Sequence, residues 1–368
     1  MKTIVWVTPD CFVDCDIILM PDLLNIFDIH WIILLQDESR FKESDFVQIR
    51  QQYHNLVVEF VYEHRLRNPF NFFKFIGLAN KINSIKHDAV YLNIGVSPWC
   101  LSMIPFIKSD KTIVTAHQGK VHEGMSYKRL VTTSRKLWYG HFRNVNMFSK
   151  SQALLFKQDF PKSVVYQFVL GLKDFGKPTN QRPTSGDVRF LSFGILNYAK
   201  NIDLLIDAAC ILYERGIRGF KVSINGACSD WAFYQSKIKY PQLFELDIRM
   251  IDNSEIPNLF NSCHYFVQPY RVVSQSGPTK IAYNYNLPVV VSNLPGFMDE
   301  LEEGVNGYSF EKGNVNSLAD RMQWLIEHHA TDYDGLLGRM KSHTISHYAN
   351  DILIKQYSDM LEKVINNK

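Results

Sequence analysis

A chain of 368 residues with 46% hydrophobic residues can fill two or three globular cores, and a formal charge of +3 is too small to mark a nucleic-acid binder. No run reaches the roughly 18 apolar residues that span a bilayer, and the apolar stretch before Pro9 is too short for a secretion signal. The six cysteines lack metal-site spacing and several sit in or beside apolar runs, as reduced thiols do, so the expectation is a cytoplasmic protein, soluble or peripheral.

Strand and helix signals alternate from the start. Ile4–Val7, Trp31–Leu35, Leu56–Val61, Ala89–Leu92 and Thr112–Thr115 read as short apolar strands, and Pro69–Ile85 carries apolar residues at helical spacing. That alternation predicts a parallel sheet with helices on both faces. Between Lys111 and Lys150 eight Lys and Arg stand against the single Glu123, interleaved with Tyr127, Leu130, Leu137, Trp138 and Tyr139. The stretch reads either as a basic amphipathic surface for anionic lipid or as a solvated face with a few core contacts.

Val164–Leu170 is the last apolar run of this half. Residues 171–187, rich in Gly, Pro, Asn, Arg, Ser and Thr, then read as a linker. The pattern restarts with a strand at Arg189–Phe193, a helix at Ile202–Tyr213, a strand at Phe220–Ile224, a helix at Ile256–Cys263 and strands at His264–Val267 and Val289–Val291. Val315–His328 reads as a long helix, and a last helix at about Thr344–Asn366 has no strand after it. The fold class is therefore α/β, with two doubly wound Rossmann-like domains at 1–170 and 188–343 facing a central cleft, where pockets concentrate. Residues 344–368 form a separate final helix.

The most informative stretch runs from Gln268-Pro269-Tyr270 through Ser274-Gln275-Ser276-Gly277 to Pro288-Val289-Val290-Val291. It is a strand, a polar loop, a helix and a strand. In open α/β sheets, ligands bind beyond the carboxyl ends of strands, where helix N-termini present backbone N–H groups. Ser-Gln-Ser-Gly there reads as an anion cradle. Gly194 follows the strand before it and Lys200 opens the next helix, a position where positive charge opposes the helix dipole unless an anion compensates it.

These residues, with Phe193-Gly194 to Lys200-Asn201-Ile202-Asp203, Ile256-Pro257-Asn258-Leu259-Phe260, Ile281-Ala282-Tyr283, Gly296, Asp299, Gly304 and Asn306-Gly307, resemble a family 4 (group 1) retaining glycosyltransferase of the GT-B fold, in its branch with a Ser- or Thr-Gln-Ser-Gly loop. The likeness is closest over roughly 190–330. In the first half it rests on architecture and on Thr115-Ala116-His117. The resemblance implies transfer of a sugar from a UDP-, GDP- or dTDP-sugar to a glycan or polyprenyl-pyrophosphate-linked acceptor, with retention, for a surface polysaccharide. It implies an N-terminal acceptor domain, a C-terminal nucleotide-sugar domain, and a final helix that returns to the first. Lys200, Gly194, Ser276 and Gly277 would hold the donor diphosphate, and Ser274, Gln275 and Lys280 would meet donor sugar or nucleotide. His117 would face the donor sugar as the catalytic group. No cofactor or metal is expected, because cationic side chains and a helix N-terminus would stabilise the leaving diphosphate.

Two departures stand out. The family's Glu pair falls on Val273 and Ile281, and its phosphate-binding Arg on Ile195. Front-face attack, with the leaving phosphate accepting the acceptor's proton, needs no carboxylate nucleophile. Asp10, Asp14 and Asp16 cluster after the first strand and either act on the acceptor hydroxyl or solvate a loop. His122 is a further acceptor-side candidate. A membrane surface is a possible partner, on the inner face of the plasma membrane. The alternatives are a nucleotide-sugar 2-epimerase of the same fold and a sugar-nucleotide-binding subunit without catalysis.

Overall fold

The computed structural model describes residues 1–36, 39, 41–64, 68–121 and 127–366. It divides into two compact units, Met1–Gly171 with Ala349–Lys368, and Leu172–Tyr348.

The first unit holds a seven-stranded sheet: β1 (Lys2–Pro9), β2 (Phe27–Leu35), β3 (Leu56–Tyr62), β4 (Ala89–Leu92), β5 (Thr112–Thr115), β6 (Asn144–Met147) and β7 (Val164–Gln167), in the order β3-β2-β1-β4-β5-β6-β7. Every pairing is parallel. Successive residues of a strand face opposite sides. Ile4 and Trp6 accordingly enter one core while Val5 and Val7 enter another, and both faces are covered. That explains why β1 reads as an unbroken apolar run rather than an alternating one. The helix Asn350–Asn366 closes the first face with Leu353, Tyr357, Met360, Leu361 and Val364, one stripe at helical spacing.

The second unit carries six strands: β8 (Val188–Phe193), β9 (Phe220–Asn225), β10 (Phe244–Asp247), β11 (Tyr265–Gln268), β12 (Val289–Ser292) and β13 (Gly307–Phe310), in the order β10-β9-β8-β11-β12-β13 and again parallel. In each sheet the order reverses beside the first strand, between β1 and β4 and between β8 and β11. A crevice opens beyond the strand ends at such a switch point.

The structure differs from the sequence reading in several places. The strands β6, β10 and β13, four residues each, are new. Asn144 and Asn146 made β6 look like a loop, but both are buried, and Asn146 accepts a hydrogen bond from Tyr91 Oη (2.8 Å) and donates to the Tyr166 carbonyl (3.0 Å). The long helix runs from Val315 to Tyr348, because Tyr333, Leu336 and Met340 continue its buried stripe past His328. The last helix therefore begins at Asn350 rather than Thr344. The segment read as a linker is held on the second unit: the Arg182 guanidinium donates to the carbonyls of Tyr285 and Asn286, both at 2.8 Å, and the Thr179 N–H donates to Asn258 Oδ1. No helix among the described residues is long and apolar enough to cross a membrane.

Candidate functional site

In the second unit the loops after β8 and β11 meet at the switch point. Gly194 adopts φ +124°, and a Cβ there would lie 3.9 Å from Pro278 Cγ. Gly226, at the end of β9, presses on the same turn: a Cβ would stand 1.8 Å from the Gly194 carbonyl oxygen, so only glycine fits. Arg271 ties the loops together. Its N–H donates to the Ala199 carbonyl (2.9 Å), and its guanidinium donates to the Tyr198 carbonyl (2.6 Å) and pairs with Asp203 at 2.8 Å.

Gln268, the last residue of β11 and fully buried, organises the second loop. Its Nε2 donates to Ser276 Oγ (2.7 Å) and Tyr270 Oη (3.1 Å), and its Oε1 accepts from Thr279 Oγ1 (2.7 Å). Ser276 is the N-cap of the helix Gly277–Asn284, its Oγ accepting from the Thr279 N–H at 3.3 Å. Pro278 has no N–H and that of Thr279 is engaged, so Gly277 is the first helical residue whose N–H can meet a ligand. The cradle is thinner in backbone donors than the sequence suggested.

Cations make up the difference. The Lys200 ammonium sits 3.9 Å from the centroid of the Tyr270 ring, an arrangement that holds it at the loop while its charge stays available to an anion. Lys173, absent from the sequence reading, is 8% exposed and lies along the first turn of the same helix: a Cβ on Gly277 would be 3.1 Å from both its Cε and its Nζ. Its position in a supposed linker concealed it. Ser274, Gln275, Ser276 and Gly277 thus share one loop with two lysines, while the position that resembles an Arg is Ile195, 62% exposed.

Lys280 is elsewhere. It is fully buried, ion-paired with Glu300, and takes a hydrogen bond geometry of 3.1 Å to Tyr348 Oη, whose ring centroid lies 4.5 Å away. Its helix turns it into the core, so it anchors that helix instead of meeting a donor. Glu302, His343 and His347 bring metal-ligating atoms within 4.8 Å of one another. Asn306 Oδ1 accepts from the Glu302 N–H, which turns Nδ2 to donate to the Glu300 carbonyl and to His343 Nε2 (3.0 Å). The neutral ring then keeps its proton on Nδ1, 3.5 Å from the Glu302 carboxylate, where a metal would need a lone pair. The hydrogen-bonded brace here is Asn306, which ties His343 to the Glu300–Glu302 backbone.

In the first unit the ends of β1, β4 and β5 gather a second polar cluster. Asp16 is 2% exposed and its Oδ2 accepts from Trp6 Nε1 (2.8 Å), Thr8 Oγ1 (2.6 Å) and Asn93 Nδ2 (3.3 Å). Burial lifts its carboxyl to about 6 against the lowering effect of those bonds. Enclosed in this way, Asp16 holds the cluster and does not face an acceptor. Asp14 is also buried, and Cys15 Sγ approaches its carboxylate at 3.5 Å. His117 Nε2 is 3.0 Å from Asn93 Oδ1, and its ring stacks on Phe12 with centroids 4.0 Å apart. His122 lies outside the described residues. Of the basic stretch, Lys128–His141 is a helix. Its Arg135 is 8% exposed and donates to the carbonyls of Gln118 and Gly119, both at 2.9 Å, so it holds the loop after His117 and is no part of a basic surface.

Residues 187–328, within the second unit, match the model of a family described as glycosyl transferases group 1. Solved structures share the architecture over the whole chain. A glycosyltransferase from Rickettsia africae ESF-5 superposes with a TM-score of 0.72 at 17% identity, covering 100% of this chain and 99% of that one. Anabaena Alr3699/HepE in complex with UDP gives 0.72 at 14% identity, covering 99% and 100%. Sucrose-phosphate synthase from Thermosynechococcus elongatus gives 0.73 at 10% identity, covering 99% of each. At these identities the likeness is one of fold. A comparison with curated protein sequences found no match. The class is thus a GT-B fold of two Rossmann-like units, the second of which matches a group 1 glycosyl transferase domain.

Proposed function

We propose that this protein is a retaining glycosyltransferase that uses a nucleoside-diphosphate sugar. The observation that carries the reading is the braced pair of loops in the second unit: Lys173, Ser276 and Gly277 meet at one helix start, Lys200 stands over the Tyr270 ring of the same loop, and all of these but Lys173 lie inside the matched residues 187–328. Alr3699/HepE, a protein of the same fold, is described with UDP and with UDP-glucose, which supports the donor class.

Lys200 and Lys173 neutralise the diphosphate, and Lys173 takes the part left vacant by Ile195. Charge grows on the leaving phosphate as the sugar–oxygen bond breaks, so preorganised cations lower that barrier without a metal. Ser274 and Gln275 serve the sugar and ribose, because Val273 and Ile281 offer no carboxylate. His117 and Asp14, in the first unit, act on the sugar and acceptor side. The acceptor oxygen bonds to the anomeric carbon on the face the diphosphate leaves, and its proton passes to the leaving phosphate oxygen.

The acceptor is a glycan or lipid-linked glycan in surface polysaccharide synthesis, at the inner face of the plasma membrane. The exposed residues Lys128, Arg129, Leu130, Lys136 and Leu137 of the helix Lys128–His141 would face that membrane.

A melting-temperature screen against UDP, GDP, dTDP and ADP tests the donor class. Ligand at about 100 times its dissociation constant adds roughly 2.7 kcal/mol of stability. Stabilisation by one diphosphate, followed by consumption of its sugar conjugate only with an acceptor, is the expected result. No stabilisation by any of them rejects the reading. Consumption without acceptor points to epimerase chemistry, and binding without transfer to a non-catalytic subunit.

A further inference from the structure

The two loops of the second unit exchange a cation and a ring in each direction. The loop after β8 supplies Tyr198 and Lys200, and the loop after β11 supplies Tyr270 and Arg271. The Lys200 ammonium stands 3.9 Å from the Tyr270 ring centroid, and the Arg271 guanidinium carbon 4.2 Å from that of Tyr198. The two pairs are otherwise unlike. Arg271 also pairs with Asp203 at 2.8 Å and donates to the Tyr198 carbonyl, so its charge is neutralised within the fold, and its ring partner Tyr198 is 76% exposed. The Lys200 ammonium makes no hydrogen bond or ion pair among the described residues, and its ring partner Tyr270 is 4% exposed. Three neighbours fix Tyr270. Gln268 Nε2 donates to its Oη at 3.1 Å, Ser292 Oγ donates to its carbonyl at 2.9 Å, and the Phe297 ring packs against it with centroids 5.3 Å apart.

The face of an aromatic ring attracts a cation through its quadrupole and carries no net charge. A carboxylate in that place would hold Lys200 too, but it would cancel the charge that Lys200 brings. We infer that Tyr270 is a positioning residue for Lys200: the π face of its ring holds the ammonium at the loop before an anion arrives, and leaves the whole charge to that anion. A side chain ordered in advance loses less freedom when the ligand binds. Arg271 on Tyr198 fastens the two loops together, whereas Lys200 on Tyr270 serves the ligand. The inference rests on the reading of Lys200 as a group that binds the donor diphosphate.

The test changes the charge distribution of the ring and keeps its shape. Tyr270→Phe in the full chain is the reference, and Tyr270→pentafluorophenylalanine is the probe, because fluorine reverses the ring quadrupole. Calorimetric titration with inorganic pyrophosphate is expected to give an affinity at least about threefold lower for the fluorinated ring than for Phe. In a Lys200→Met background the two rings are expected to give equal affinity. Equal affinity with Lys200 present, or the same loss with Lys200 replaced, overturns the inference. A second measurement needs no ligand. The ε-methylene protons of Lys200, identified by their loss in Lys200→Met, are expected upfield of those of the other lysines in the wild-type proton spectrum, and at the ordinary position in Tyr270→Leu. An ordinary position in the wild type overturns the inference whatever the titration shows. Upfield signals in a chain that binds no pyrophosphate uphold Tyr270 as the group that holds Lys200 and reject Lys200 as a diphosphate-binding group. Should Tyr270→pentafluorophenylalanine not fold, Tyr270→difluorophenylalanine takes its place, with a loss of the same sign expected.

Discussion

Lys173 and Lys200 differ in how openly they show their purpose. Lys200 ends the short turn Tyr198–Lys200 just ahead of the helix Ile202–Glu214, where its charge opposes the dipole, and that misfit is visible in the sequence. Lys173 lies among Gly, Pro and polar residues and acquires meaning only because the chain folds it along the first turn of the helix Gly277–Asn284. A charge-assisted hydrogen bond is worth roughly 1.5–3 kcal/mol, so Lys173→Met and Lys200→Ala should each weaken nucleoside-diphosphate binding by about 10- to 100-fold. Calorimetric titration with the diphosphate and with the free nucleoside separates the effects: the nucleoside should bind each variant as it binds the wild type. Equal diphosphate affinity in Lys173→Met would remove Lys173 from the cradle. Gln268 tests the scaffold beneath. In Gln268→Leu, the partners Ser276, Thr279 and Tyr270 lose their shared amide, and a buried polar group left unsatisfied costs about 1–3 kcal/mol. Chemical denaturation should show a loss of that size, and a loss under about 0.5 kcal/mol would mean the loop does not depend on Gln268.

The helix Lys128–His141 shows how one element divides its charges. Arg135 turns inward to the carbonyls of Gln118 and Gly119, while Lys128, Arg129 and Lys136 stay on the exposed side with Leu130 and Leu137. A lysine or arginine near an anionic membrane contributes about 1 kcal/mol. Replacing Lys128, Arg129 and Lys136 with Gln should therefore lower affinity for phosphatidylserine-containing vesicles by two orders of magnitude or so, with little change in melting temperature. Arg135→Gln should do the reverse, lowering stability and disturbing the loop after His117 while vesicle binding changes little. Co-sedimentation and thermal denaturation of the two variants distinguish the roles. Sequence alone pooled these cations because a count of charges has no helical phase: Arg129 and Lys136 stand about 100–120° round the helix from Arg135, while Lys128, on nearly the same side as Arg135, is exposed because it is the first residue of the helix. The short strands β6, β10 and β13 were missed for a related reason: four residues hold too little alternation to outweigh Asn, Glu and Gly. β1 was legible because burial on both faces demands a continuous apolar run.

At the scale of the molecule, the two units respond oppositely to acid. In the second unit, burial holds His264, His329 and His343 below the usual imidazole value of 6.5, His329 at about 4. Once unfolded they take up protons near 6.5, so the unfolded state binds more protons and stability falls as pH drops below that value. In the first unit, burial raises Asp16 to about 6 and Glu63 to about 7, above their unfolded values of 3.8 and 4.5. There the folded state binds more protons, and stability rises as pH falls through the same range. Scanning calorimetry at about pH 7.5 and pH 5 should show the second unit's transition moving down relative to the first's. His329→Gln should reduce that shift, and movement in the opposite sense would overturn the assignment.

The sequence by itself determined the two doubly wound α/β units, the strand at which the second sheet starts, and the loop from Gln268 to Gly277 as a candidate anion cradle. Each of these is written in local order: apolar runs of strand length, and a polar loop between strand and helix. Tertiary structure decided which charges reach the cradle. It sent Lys280 into an ion pair with Glu300 and brought Lys173 to Gly277 from 104 residues away in the chain. It also turned Asp16 from a supposed acceptor group into the buried centre of a hydrogen-bond network with Trp6, Thr8 and Asn93. A charge's role depends on what surrounds it, and those neighbours come from strands and loops that meet only when the sheet is closed.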